Sequence, residues 1–386
     1  MSILTIPKEL QLHILGLLSV SELLRLSETC HGLKDLARDP CLWRKLSLSY
    51  KMIKNNTVAC RNHVSRCSSL QELFITGKER SIRSDKIMSV VMRAKDSLTS
   101  FDISLESPGM ALSNSSVIKF GKMIQLRKLS LVGTKIKPDG ISALNKLTEL
   151  TTLKVVGMGM WDCSEDYQHV KNLFTNLKRL EEVKISFGPF SDKVVDSLVT
   201  NNPNLKYLDL NSRFYRFVFY DENVGNTTVK NMIGSIADNC PQLTNIDLGW
   251  LDIIDNNDLL KLIAKCVNLQ LANFEETSIE DSTLALMARN CPNLEHLKIA
   301  GCDMITEEGI EAFLNEVSQA SLKFLDITEC DFLFTNEYED DNGNVDEDAS
   351  ERVGKRLVQE HPDIDIVYDN GDYYTDSEDS SDSDED

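Results

Sequence analysis

A six-residue pattern, Leu-x-x-Leu-x-Leu with aliphatic or aromatic substitutes, returns through most of this chain. It starts at Trp43, Leu70, Leu98, Leu126, Leu150, Leu180, Leu205, Leu243, Leu269, Leu294 and Leu322. Nine of the ten intervals lie between 24 and 30 residues, and the tenth is 38. Self-similarity at such a period marks stacked structural repeats. Alternation over the six residues describes a strand with its leucines on one face, and the stretch up to the next strand is long enough for a helix. Neither element can bury its apolar side alone, but both can when neighbours stack. The predicted class is therefore α/β: a curved solenoid with a parallel sheet along its concave side. The segment His361-Pro362-Asp363-Ile364-Asp365-Ile366 reads as a last, irregular strand after an acidic insertion.

The residues between the leucines point out of the sheet, and they are mostly polar with a few aromatics, among them Tyr207, His296 and Phe324. No single charge prevails among them. Two loops carry more information. Gly157–Cys163 contains Trp161. Arg213–Tyr220 accounts for the 38-residue interval and holds five aromatics and two arginines in eight residues. These are the residue types that anchor protein interfaces. The expected protein-binding set is Trp161, Tyr207, Arg213, Phe214, Tyr215, Phe217, Trp250, His296 and Phe324. The alternative is that the insertion pads the solenoid's own edge.

Ahead of the repeats, residues 6–46 read as three short helices. Pro7 suits a first helical turn, where no amide donor is needed. Leu10, Ile14, Leu17 and Leu18 fall on one helical face. Ser19 and Glu22 form a capping box for a second helix carrying Leu23, Leu26 and Cys30. Gly32 reads as a stop, after which Leu33 and Leu36 begin another short turn. Asp39-Pro40 breaks the chain before Trp43. Such a short segment makes a small core. Leu15, Leu23 and Leu24 exceed what one side of each helix hides, so a partner is expected to cover them.

Cysteine placement supports the repeat register. Cys67, Cys240, Cys266 and Cys291 each lie three residues before a strand's first Leu, while Cys302 and Cys330 lie eight after one. Six of the ten cysteines are thus repeat positions, expected as buried, reduced thiols. No C-x-x-C occurs, so neither a metal site nor a cofactor is indicated. The histidines are scattered, and no phosphate loop, H-E-x-x-H or G-x-S-x-G is present. No apolar run approaches the ~18 residues of a membrane span, and no signal peptide is expected.

Residues 6–46 resemble the F-box. Its pattern is carried by Ile6-Pro7, Ile14-Leu15, Leu18, Leu23, Thr29-Cys30 and Leu42-Trp43, with departures at Glu22, Glu28 and Leu33. The resemblance implies docking to the small adaptor of a cullin-based SCF ubiquitin ligase, and through it to cullin and RING subunits. Pro7, Leu10, Ile14, Leu15, Leu18, Leu23, Leu24 and Trp43 would carry that contact or its supporting core. The repeats resemble leucine-rich repeats of the cysteine-containing kind found behind many F-boxes. Together the two imply a non-catalytic receptor that holds a protein substrate for ubiquitination by other subunits and for proteasomal degradation.

The formal charge of −20 is unevenly placed. Residues 336–386 hold 20 Asp and Glu against 3 Lys and Arg, while the rest of the chain carries 41 acids and 38 bases. The near-neutral body argues against nucleic acid as its ligand. Thr375, Ser381 and Ser383 each have an acid three residues on and are expected phosphorylation sites. The expected domains are an F-box over 1–48, repeats over 49–335, an acidic insertion with a capping repeat over 336–368, and a disordered acidic tail over 369–386. A repeat body with such a tail also resembles acidic nuclear phosphoproteins that handle histones, which implies a non-catalytic binder or histone chaperone instead. The expected location is the cytoplasm, the nucleus or both.

Overall fold

A computed structural model describes residues 3–18, 20–77, 83–105, 112–132, 136–156, 167–186, 192–211, 231–251, 254–317, 321–330 and 348–368. The chain divides into two compact units. The first holds Met1–Leu205 with Phe217–Tyr220, and the second Lys206–Arg216 with Asp221–Asp386.

The first unit opens with helices α1 (Lys8–Leu15), α2 (Val20–Leu26) and α3 (His31–Ala37), followed by a 3-10 turn at Pro40–Trp43. Gly32 is not a stop. Helix α2 ends earlier, at Leu26, where the Thr29 hydroxyl donates to the Leu26 carbonyl at 2.7 Å. Cys30 then stands extended before α3, which leaves Gly32 inside that helix's first turn. Asp39 starts the 3-10 turn by accepting from the Cys41 amide at 3.0 Å.

Six parallel strands come next in chain order: β1 (Lys45–Ser49), β2 (Glu72–Gly77), β3 (Ser100–Leu105), β4 (Lys128–Val132), β5 (Thr152–Val156) and β6 (Glu182–Ser186). Leu46, Leu73, Phe101, Leu129, Leu153 and Val183 align across them. So do Leu48, Ile75, Ile103, Leu131, Val155 and Ile185. Both rows are buried. Their burial under the returning helices supplies the hydrophobic term that neither strand nor helix has alone.

In the second unit, β7 (Tyr207–Asp209), β8 (Asn245–Asp247), β9 (Leu271–Asn273), β10 (His296–Lys298), β11 (Phe324–Asp326) and β12 (Asp365–Val367) also pair in parallel and in order. Each is three residues long, against five or six in the first unit. Four of the six share one feature at the strand end. Oδ1 of Asp209, Asp247, Asn273 and Asp326 each accepts from the backbone amide two residues on, at 2.9–3.3 Å. This local turn bends the chain at the ends of β7, β8, β9 and β11, while backbone bonds between neighbouring rungs continue beyond it, as from the Trp250 amide to the Glu275 carbonyl at 2.8 Å. Three residues past the ends of β8, β9, β10 and β11 the backbone swings left-handed, at Trp250, Glu276, Gly301 and Glu329. Asp209 and Asn273 are accordingly buried, not solvated strand positions as alternation alone suggests.

The helices are tied to one another by one recurring device. The first residue of a helix accepts from the amide that precedes the next helix. Ser84 receives Ser113, Asn114 receives Lys137, Asn256 receives Glu280 and Asp281 receives Thr306, at 2.9–3.1 Å. Helix starts leave amides without intrahelical partners, so at these four junctions one repeat satisfies the next. Behind the second unit's sheet, Cys240, Cys266, Cys291, Cys302 and Cys330 are buried free thiols.

Candidate functional site

Helix α1 is apolar on more than one side, and the fold decides which side faces inward. Gln11 and Leu15, four residues apart, turn into the module, with Leu15 only 1% exposed. Gln11 there donates to the Ile6 carbonyl at 2.6 Å. Leu10 and Ile14 lie about a quarter-turn round the helix, Leu17 sits in the turn just past its end, and the three are 53%, 42% and 77% exposed. Leu18 is half-buried and Pro7 exposed. Leu23, Ala37 and Trp43 are also buried. The Trp43 indole donates to the Ala37 carbonyl at 2.7 Å, which satisfies its buried polar atom. Lys8 closes the module against Asp39 at 2.9 Å. That hydrogen-bonded contact holds the Asp39 carboxyl below its usual range and the Lys8 ammonium above its own.

This arrangement overturns one expectation. Leu15 and Leu23 are not left over for a partner, because they form the module's own core. The Leu24 side chain and Ser19 lie outside the described residues. The uncovered apolar row is Leu10, Ile14 and Leu17, with Leu4 also exposed.

On the open face of the second unit, Tyr207, Asn245, Leu271, His296, Phe324 and Asp365 form one row across β7 to β12. The rings of His296 and Phe324 lie 5.8 Å apart at 35°. Lys298 reaches over Phe324 at 5.9 Å and pairs with Glu275 at 4.0 Å. The Tyr207 hydroxyl donates to Asp209 at 3.2 Å. Three of the expected binding residues therefore share a row, and two of them are adjacent. Trp250 stands apart, half-buried in its left-handed turn beyond β8. Trp161, Arg213, Phe214, Tyr215 and Phe217 lie outside the described residues, as do Thr375, Ser381 and Ser383.

A family model described as F-box-like matches residues 3–49, the span that holds the three helices and β1. A second, described as Leucine Rich repeat, matches residues 290–314, which take in β10 and the turn after it. The chain carries an F-box-like module ahead of leucine-rich repeats.

Among solved structures, this F-box and repeat chain is similar to one from the complex of Rad7 and Elc1 in yeast. The identity is 15%, over 94% of this chain and 89% of that one, with a TM-score of 0.57. It is also similar to the leucine-rich-repeat-containing protein LegL7 from Legionella pneumophila, at 13% identity over 83% and 99% of the two chains and a TM-score of 0.44. An internalin from Listeria monocytogenes matches at 15% identity over 80% and 87%, with a TM-score of 0.36. The yeast likeness is one of fold. Among the described residues, no three His, Cys, Asp or Glu side chains converge as a metal site, and no helix is long and apolar enough to cross a membrane.

Proposed function

We propose that this chain is the substrate-recognition subunit of an SCF-type ubiquitin ligase. Its F-box would dock the ligase adaptor, and through it cullin and RING subunits. Its repeats would hold the target protein for ubiquitination and degradation. The observation that carries this reading is the row Leu10, Ile14 and Leu17, exposed on a module whose core is already closed by Leu15, Leu23 and Trp43. An apolar row of that kind, on a module the F-box-like model matches, is a docking surface in search of a partner. The similar yeast structure was itself solved as a complex of two proteins, which agrees with a partner-bound role. The chain's share of the reaction is proximity: it raises the target's concentration beside the transfer chemistry, which other subunits perform.

The experiment is co-purification of adaptor and cullin with wild type and with Leu10→Asp/Ile14→Asp/Leu17→Asp. The exposed positions let the variant fold, which its thermal unfolding would show. Loss of adaptor with unfolding unchanged is expected. Undiminished capture by the folded variant would remove this reading.

A further inference from the structure

The open face of the first unit contains a groove of about 400 Å³ across β1 to β6, a size within the usual range for ligand sites. Its charged lining is Lys45, Arg127, Lys128 and Lys154 against Glu72, Asp102 and Glu182. The acids are already engaged. Glu72 lies 3.7 Å from Lys45, which also sits over the Phe74 ring at 4.7 Å. Glu182 lies 4.0 Å from Lys154. Asp102 is half-buried and accepts from the Ser130 hydroxyl. Arg127 and Lys128 are exposed and make no ion pair among the described residues. Register places Ser100 on one side of Lys128 and Thr152 on the other, so hydroxyl donors flank the ammonium. Arg127 and Lys128 thus face this groove without an ion pair among the described residues, beside Ser100 and the buried Thr152.

We propose that this groove receives an acidic segment of the target protein, with Asp or Glu side chains lying against Arg127 and Lys128. The assignment of the segment to a target rests on the substrate-receptor reading above; the charge preference rests on the groove. Two features favour carboxylates over phosphate. Three carboxylates line the same groove, and they repel a dianion more than a monoanion. The lining rows cross several strands, which suits an extended peptide carrying spaced single charges.

The test measures fluorescence anisotropy of a labelled peptide of alternating Glu and Gly with the purified full chain. A Gln/Gly peptide and a phosphoserine/Gly peptide run alongside. The Glu peptide should bind, more weakly as salt rises, and the Gln peptide should not. Arg127→Ala/Lys128→Ala should weaken binding about fivefold or more, the scale of two exposed pairs. Lys122→Ala, exposed but outside the groove, should change nothing. Equal binding of the Gln peptide, equal loss from Lys122→Ala, or binding of the phosphoserine peptide alone overturns the proposal. Adaptor capture is scored on the same preparations. Its failure beside selective Glu-peptide binding counts against the ligase reading and leaves the groove standing.

Discussion

The ring of Trp43 meets the ring of His63 edge to face, with centroids 4.7 Å apart and planes at 78°. Trp43 ends the F-box module, and His63 lies in the helix Thr57–Arg66 of the first repeat. The contact therefore joins the F-box module to the repeats through two side chains. Aromatic pairs in this geometry add ~0.5–1.5 kcal/mol beyond the area they bury. Nε2 of His63 is buried there with no hydrogen-bond partner among the described residues.

The first prediction rests on that buried nitrogen. Burial, and then Arg66, push the His63 imidazole below its ordinary value of 6.5. The unfolded chain therefore takes up this proton before the folded chain does. Stability from the joint is complete above 6.5 and is lost as pH falls through that value toward the lower folded one. His63→Phe keeps an aromatic edge against Trp43 and removes the titration. Between about pH 7.5 and 5.5, where histidine changes charge, the variant's Tm should fall less than that of wild type. Parallel declines would show that His63 does not set the acid sensitivity.

A second prediction separates docking from folding. Leu15→Ala and Leu23→Ala each empty a closed core, which costs ~2–5 kcal/mol in larger proteins. A module this small has little to spare. Each variant should lose adaptor capture together with amide-exchange protection over residues 8–37. Leu17→Asp should lose capture and keep protection. If Leu15→Ala keeps full protection while losing capture, the assignment of Leu15 to the core is wrong.

The strands were legible because leucine spacing reports burial directly, and β1 to β12 fall where the pattern places them. Helix α1 was not. In a helix of eight residues with apolar groups all round, spacing names a face but not which face the neighbours cover. Leu15 and Leu10 differ by the packing of α2 and α3, which local sequence does not state. The Arg127 and Lys128 groove was hidden for a similar reason. Its charge emerges only when register shows which lysines already have carboxylates beside them. The turns that close β7, β8, β9 and β11 did have a written signal: Asp or Asn at the third strand position, Asp209, Asp247, Asn273 and Asp326. Reading these as solvated missed the turn each one makes.

A third prediction concerns the ties between repeats. Asn256 accepts from the Glu280 amide at 3.1 Å and the Thr283 hydroxyl at 2.6 Å, and donates to Glu280 at 3.0 Å and Ser282 at 2.8 Å. Thr283 is fully buried. Asn256→Ala leaves that hydroxyl and an amide without an acceptor, at a cost of ~1–3 kcal/mol for a buried group. The next tie depends on a glycine: a Cβ at Gly309 would collide with the Asp281 carboxylate that holds Thr306. Gly309→Ala should therefore destabilise, although alanine is the better helix former. Urea unfolding of both variants gives the measurement. A midpoint unchanged in either would mean that the corresponding tie carries no net stability.

The last prediction concerns the thiols. Burial pushes Cys240, Cys266 and Cys302 up to about 12 and Cys291 up to about 11, and it raises Cys330 as well. The Cys302 and Cys330 thiols donate to the carbonyls of Phe274 and Ile299, each at 3.1 Å. Only a thiolate attacks a disulfide reagent, so these groups should be silent in the folded chain. Cys30 and Cys41 are exposed. In a Cys163→Ser background, which removes the one cysteine outside the described residues, a thiol-titrating reagent at about pH 8 should count these two quickly and the rest only on unfolding. Stability should then decline as pH rises past 9.0, the ordinary thiol value, because the unfolded chain releases protons that the folded chain keeps. Rapid labelling of Cys302 or Cys330 without loss of structure would show that the second unit opens locally, and that its cysteine column does not stay closed in solution.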